Sequence, residues 1–470
     1  MVFNCNKNTD SNGVFLLGRN ITALANSCLN KEIFIELWHG FSYRCSSLQI
    51  QNTNEMFFMI GNTKIPSAEK SLYSISVTET GVCISANDEK GLKTGLFALM
   101  DRIMVSDNND IYLSCCTISE NPIIENRMAH FCVFPETELW ELHKFIRLCA
   151  ALKYSHVILE FWGMLKYDAL EHLSWKHGFL KEQVAPVIKE ARDMGLEVIP
   201  MFNHWGHASA GRVMHGKHVV LDQNPSLQSY FSDDGWRWNI KKPKVRQLLK
   251  NIREELIALC GDSEYFHIGC DEPYIEMTKD DIKPFTDYIN EITEDLAANG
   301  RRPIVWGDML ISRHKDFNSK NNYVTFCPDE ETEKKLLDGL DKRVIIGDWQ
   351  YWSNFYPIET SLVFKNAGFD VLICPWDCGR EVIESSVSTA RNYGLYGIMH
   401  TTWHTLSSGT PYLTATALES WGEKLGKCFH DKFFDAQCGI KTAELSRKVY
   451  FTDGDYAKSG WAKYQIGVNT

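Results

Sequence analysis

From Asn121-Pro122 onward the chain repeats one pattern eight times: a few apolar residues, then a polar or aromatic end. The segments are Met128 to Phe134, His156 to Phe161, Leu196 to Phe202, Glu264 to Cys270, Pro303 to Trp306, Arg343 to Asp348, Asp370 to Pro375 and Ile398 to Trp403. Short continuous apolar runs suit strands buried on both faces, as in parallel sheets. Between several of them the apolar spacing turns helical, as in Val245, Leu248, Leu249, Ile252 and Leu256, or Ile282, Phe285, Ile289, Ile292 and Leu296. Eight alternations of strand and helix predict an α/β chain of the (β/α)8 TIM-barrel type. A doubly wound open sheet is the competitor, but the glycine-rich nucleotide fingerprint is missing.

With 470 residues, the chain has room for a second unit. Residues 1–120 read as a small α+β domain, with strand candidates at Glu32 to Trp38, Phe57 to Ile60, Tyr73 to Thr78, Gly81 to Ser85 and Ile111 to Cys115. Leu92, Leu96, Leu99 and Ile103 add an amphipathic helix. The barrel is assigned to 121–408, and 409–470 to C-terminal helices that pack on it. The net charge of −11 disfavours nucleic acid as a partner, since phosphate contact rewards a basic footprint. No membrane span is expected, because no apolar run reaches the roughly 18 residues that a span needs. The N-terminal MVFNCNKNTD lacks the pattern of a secretory signal, so a cytoplasmic location is expected. The 15 cysteines are read mainly as reduced core thiols, for their spacings fit neither zinc nor redox motifs. Oligomeric state is not legible.

The chemistry gathers where the apolar segments end. Tyr265-Phe266-His267-Ile268-Gly269-Cys270 runs straight into Asp271-Glu272-Pro273. Adjacent side chains on a regular strand face opposite ways, so two carboxylates share a pocket only if the strand breaks there. Pro273 restricts Glu272 and favours that break. Taken alone, such a pair is an ordinary solvated rim. Four further ends change the balance: Trp306-Gly307-Asp308, Asp348-Trp349, Trp376-Asp377 and Trp403-His404. A buried indole needs a partner for its N–H, whereas an indole plane at a rim suits the apolar face of a pyranose. Among 14 tryptophans any one could simply cover the core, but four at one barrel end point to a carbohydrate site. His204 and His207, three apart, leave a metal-dependent hydrolase in view, with Glu160, His267 and Asp271 as further donors. No His-Glu-x-x-His motif supports it, so neither a metal nor a cofactor is expected.

Taken in order, these residues resemble glycoside hydrolase family 20, the β-N-acetylhexosaminidases. His267-Ile268-Gly269-Cys270-Asp271-Glu272 is similar to the family's His-x-Gly-Gly-Asp-Glu motif. The resemblance implies that Glu272 is the general acid and then base. It implies that Asp271 orients the 2-acetamido group of the substrate as that group attacks the anomeric carbon, the substrate-assisted exception among retaining glycosidases. It further implies Arg127 on the sugar hydroxyls, Glu160 in the pocket, His207 behind the acid, Trp306, Trp349 and Trp403 as walls, and Trp376 beside the acetamido. The departures are Cys270 for the second glycine, Asp377 for a tyrosine and Thr405 for a glutamate. The expected function is exo-hydrolysis of terminal N-acetylglucosamine or N-acetylgalactosamine with retention. The alternatives are a related exo-glycosidase for a substituted or non-acetamido sugar, the metal-dependent hydrolase, and a non-catalytic carbohydrate-binding protein.

Overall fold

The computed structural model describes residues 9–16, 22–25, 55–60, 72–86, 88–106, 111–208, 220–275, 277–313, 325–352, 355–377, 379–403, 409–423 and 434–449. The strand candidate at Glu32 to Trp38 lies outside them. The first unit is a mixed sheet of β1 (Thr9–Leu16), β2 (Thr22–Ala25), β3 (Glu55–Ile60), β4 (Tyr73–Thr78), β5 (Gly81–Ala86), β6 (Met104–Val105) and β7 (Ile111–Glu120). Its order is β1-β7-β4-β5-β3-β2, with β6 paired to β7. Burial alternates along β4 and β5, the period-two signature of a sheet with one covered face. The cover is helix α1 (Glu89–Asp101), capped by the Asp88 side chain on the Gly91 amide, with Leu92, Leu96 and Leu99 buried.

Every one of the eight predicted apolar segments is a strand of a closed parallel barrel: β8 (Asn126–Cys132), β9 (His156–Glu160), β10 (Glu197–Met201), β11 (Tyr265–Gly269), β12 (Arg302–Trp306), β13 (Ile345–Trp349), β14 (Asp370–Cys374) and β15 (Gly397–Thr401). Closure runs through β15 and β8, where Met399 pairs with Met128 and Thr401 with His130. Residues of β9, β11, β13 and β15 are buried throughout, which is why the sequence shows runs and not alternation. The outer ring is α2 (Leu139–Ala151), α3 (Lys181–Asp193), α4 (Pro243–Cys260), α5 (Lys279–Ala297), α6 (Glu330–Gly339), α7 (Glu359–Asn366), α8 (Arg380–Tyr393) and α9 (Thr410–Trp421). Although α9 falls after Gly409, it stands as the eighth barrel helix. The last described helix, α10 (Phe434–Val449), lies against α9 and α2. Lys441 on α10 reaches Asp101 on α1 at 2.6 Å.

The sheet meets the barrel at its N-terminal end through a seam centred on Trp421. Tyr73 stacks on this indole at 6.1 Å, and the Lys153 ammonium lies 4.1 Å from its centroid. Lys153 also bridges Glu423 at 2.8 Å and Glu120 at 3.7 Å. Among the described residues no helix is long and apolar enough to cross a membrane.

Candidate active site

At the opposite, C-terminal end β11 stops at Gly269 and the backbone turns sharply. Gly269, Cys270, Glu272 and Tyr274 have φ of 63°, 75°, 40° and 51°, the left-handed region that a non-glycine residue enters only at a cost. This is the strand break that the Asp271-Glu272 pair requires. Five contacts over-determine it. The Cys270 amide donates to Asn203 Oδ1 at 3.3 Å, and the Glu272 amide donates to Asp308 Oδ2 at 2.9 Å. Trp236 Nε1 donates to the Glu272 carbonyl at 2.6 Å, and Arg237 donates to the Pro273 carbonyl at 3.1 Å. Gly206 closes the set, because a Cβ there would stand 1.7 Å from the Asp271 carbonyl oxygen.

The side chains converge above this backbone. His207 Nε2 lies 2.8 Å from Glu272 Oε2 and 3.8 Å from Asp271 Oδ2. The Tyr274 hydroxyl donates to the same Glu272 oxygen at 2.8 Å. Asp271 is buried, and its Oδ1 has no hydrogen-bond partner among the described residues. Glu160 is buried at the end of β9, accepting from Asn203 Nδ2 at 2.9 Å and paired with His130 Nε2 at 3.1 Å. Burial pushes the Asp271 carboxyl up to about 7 against the pull of His207, with Glu272 and Glu160 adding to the rise. Burial alone would lower His207, but the carboxylates of Asp271 and Glu272 outweigh it and bring the imidazole up to about 9. Burial and the nearby Asp271 raise Asp308 well above the usual carboxylate range.

The structure sorts the sequence-predicted residues into several places. Glu272, Asp271, His207 and Glu160 come together. Trp306 is wholly buried, with the His267 ring 4.4 Å from its own. Trp349 donates to Asp308 Oδ1 at 3.4 Å and stacks on Tyr351 at 5.1 Å. Half-buried Trp403 donates to the Tyr351 hydroxyl at 2.7 Å, and Trp376 meets Tyr351 edge-on at 5.2 Å. Asp377 is half-buried in the loop after β14. Thr405 lies outside the described residues.

Arg127 is corrected. It is the second residue of β8, at the end of the strand remote from the carboxylates. Its guanidinium donates to the carbonyls of Ile124, Glu125 and Lys153 and lies 4.8 Å from the Trp421 centroid. Sequence position before the first apolar segment looked like a rim location, but a strand entered at Asn126 needs about five more residues to climb to the rim. The two histidines of the third strand end also diverge. His204 is buried and its Nε2 faces Arg253 Nη1 at 3.1 Å, whereas His207 turns to Glu272. Among the described residues no three of His, Cys, Asp and Glu are grouped so as to hold a metal ion.

Sequence reasoning missed Tyr274, Trp236, Asn203, His130 and Tyr351, and gave Asp308 no role. Tyr274 and Asp308 were within reach, being two residues past Glu272 and two past Trp306. Trp236 carried no signal, for it enters the site from the long connection between β10 and α4.

A (β/α)8 barrel with adjacent carboxylates, an acid-bound histidine and indoles at its C-terminal rim has the build of a barrel glycosidase. Residues 159–378, within the barrel, match the catalytic domain of Glycosyl hydrolase family 20. Among solved structures it is similar to the GH20 exo β-N-acetylglucosaminidase of Vibrio harveyi, at 16% identity and a TM-score of 0.67, over 94% of this chain and 76% of that one. The β-N-acetylhexosaminidase of Bacteroides fragilis aligns at 17% identity and a TM-score of 0.65, over 94% and 95% of the two chains. A curated relative, lacto-N-biosidase of Bifidobacterium bifidum, is 21% identical over 217 residues, which cover 42% of this chain but only 19% of that protein.

Proposed function

We propose that the chain is an exo-acting β-N-acetylhexosaminidase that releases terminal N-acetylglucosamine or N-acetylgalactosamine with retention. The observation that carries this reading is the pairing of a hydrogen-bonded Glu272 with a buried Asp271 whose Oδ1 has no hydrogen-bond partner among the described residues. Glu272 hands its proton to the departing glycosidic oxygen as the acetamido oxygen of the substrate closes on the anomeric carbon. Asp271 accepts from the acetamido N–H and stabilises the positive charge of the oxazolinium-like intermediate. Glu272, now ionised, takes a proton from water as that water attacks the anomeric carbon. The acetamido oxygen leaves, and configuration is retained. His207 keeps the Glu272 carboxyl in place through both steps. Trp349, Trp376 and Trp403 offer indole surface to the sugar. The sequence departures at Asp377 and Thr405 are where selection at the acetamido and at the 4- and 6-positions would differ from relatives.

Initial rates on the 4-nitrophenyl β-glycosides of N-acetylglucosamine, N-acetylgalactosamine, glucose and galactose test the proposal. Turnover confined to the two N-acetyl compounds is expected. Turnover of the 2-hydroxy sugars at comparable rates would refute the substrate-assisted route.

A further inference from the structure

The N–H of Glu272 lies beyond the last ladder pair of β11 with β12, Gly269 with Val305, so the barrel offers it no strand partner. Its acceptor is Asp308, wholly buried two residues past β12. The other Asp308 oxygen accepts from Trp349 at the end of β13. One carboxylate therefore ties together the ends of three consecutive strands: the acid, its own turn and an indole of the sugar site. Trp236 holds the carbonyl on the other side of the same residue. Glu272 at φ 40° is thus pinned at both of its peptide groups in a conformation it would otherwise relax from.

We propose that Asp308 is a positioning residue that fixes the Glu272 carboxyl within proton-transfer reach of the leaving oxygen and holds it in register with Trp349. This inference rests on the hydrolase reading above. Both Asp308 oxygens accept, so an amide can satisfy only one of the two donors, and its NH2 must face the other. Freed on that side, the turn relaxes and the Glu272 carboxyl moves off the leaving group. A displacement of about 1 Å is enough to cost on the order of a hundredfold.

The test compares kcat/KM of wild type and Asp308→Asn on the benzyl and the 2,4-dinitrophenyl β-glycosides of the N-acetylhexosamine that the wild type prefers. The dinitrophenolate departs without a proton, whereas the benzyl alcohol needs one. Expected is a loss of about a hundredfold on the benzyl glycoside and no more than about fivefold on the dinitrophenyl one. Equal losses on both, or no loss on either, would overturn the positioning role and leave Asp308 a structural residue. Should Asp308→Asn not fold, Asp308→Ser is read in the same way. Silence of the wild type on both glycosides would instead refute the hydrolase reading, a result distinguishable from any behaviour of the variant.

Discussion

Gly206→Ala should remove most of the catalysis while leaving the barrel standing. The added Cβ would lie 1.7 Å from the Asp271 carbonyl oxygen, 2.8 Å from its carbonyl carbon and 2.9 Å from the Pro273 nitrogen. All three are backbone atoms, so no side chain can swing aside. To reach even 3.0 Å, the loop after β10 and the turn after β11 must part by about 1.3 Å. That turn carries Asp271 and Glu272, and a shift of this size predicts a fall in kcat of about a hundredfold, or about 2.7 kcal/mol in activation free energy. Overpacking adds a stability loss of about 1–3 kcal/mol, which lowers the melting temperature but does not unfold a barrel of this size at room temperature. Steady-state rates on a 4-nitrophenyl N-acetylhexosaminide, taken with far-ultraviolet circular dichroism and a thermal melt, separate the two effects. A folded variant within about threefold of wild-type kcat would refute the argument that this close approach positions the acid pair.

Glu272→Gln should fold as the wild type does and lose roughly 10²–10⁴-fold in turnover of alkyl glycosides; retained activity would remove Glu272 from the acid role. Asp271 must be ionised to accept the acetamido N–H, and the Asp271 carboxyl stands at about 7, so kcat/KM should rise with pH through neutrality. A pH profile that falls through neutrality would mean that Asp271 works in its neutral form. Arg127→Ala removes donors from three carbonyls in a buried setting and should cost about 3 kcal/mol of stability, seen in urea melts, with KM of the folded fraction unchanged. A rise in KM without loss of stability would return Arg127 to the substrate.

The barrel was legible because its strands are buried on both faces, and runs such as Val157 to Leu159 or Ile345 to Ile346 have nowhere else to go. The acid pair was legible because Asp271-Glu272-Pro273 interrupts such a run. What stayed hidden were relations across the barrel. Nothing local distinguishes the Asp308 carboxylate, which bonds a backbone 36 positions earlier, from a solvated rim group. Strand ends likewise do not reveal which way an indole leans, and Trp306 packs against the His267 ring. Arg127 misled for a related reason, since a strand has two ends and the sequence does not say which one faces the chemistry until its length is known.

The seam around Trp421 has a consequence for how the molecule comes to be made. The barrel closes where β15 meets β8, and Thr402 donates to the His130 carbonyl across 272 positions. Trp421 and Glu423, which dock the sheet through Tyr73 and Lys153, follow that closure by only some twenty residues. A chain emerging from the ribosome can build its sheet early, but it can neither seal the barrel nor fasten the sheet until nearly the same moment. Sealing and docking are therefore one late event, and until it happens the hydrophobic edges of β8 and the face of Tyr73 both wait uncovered.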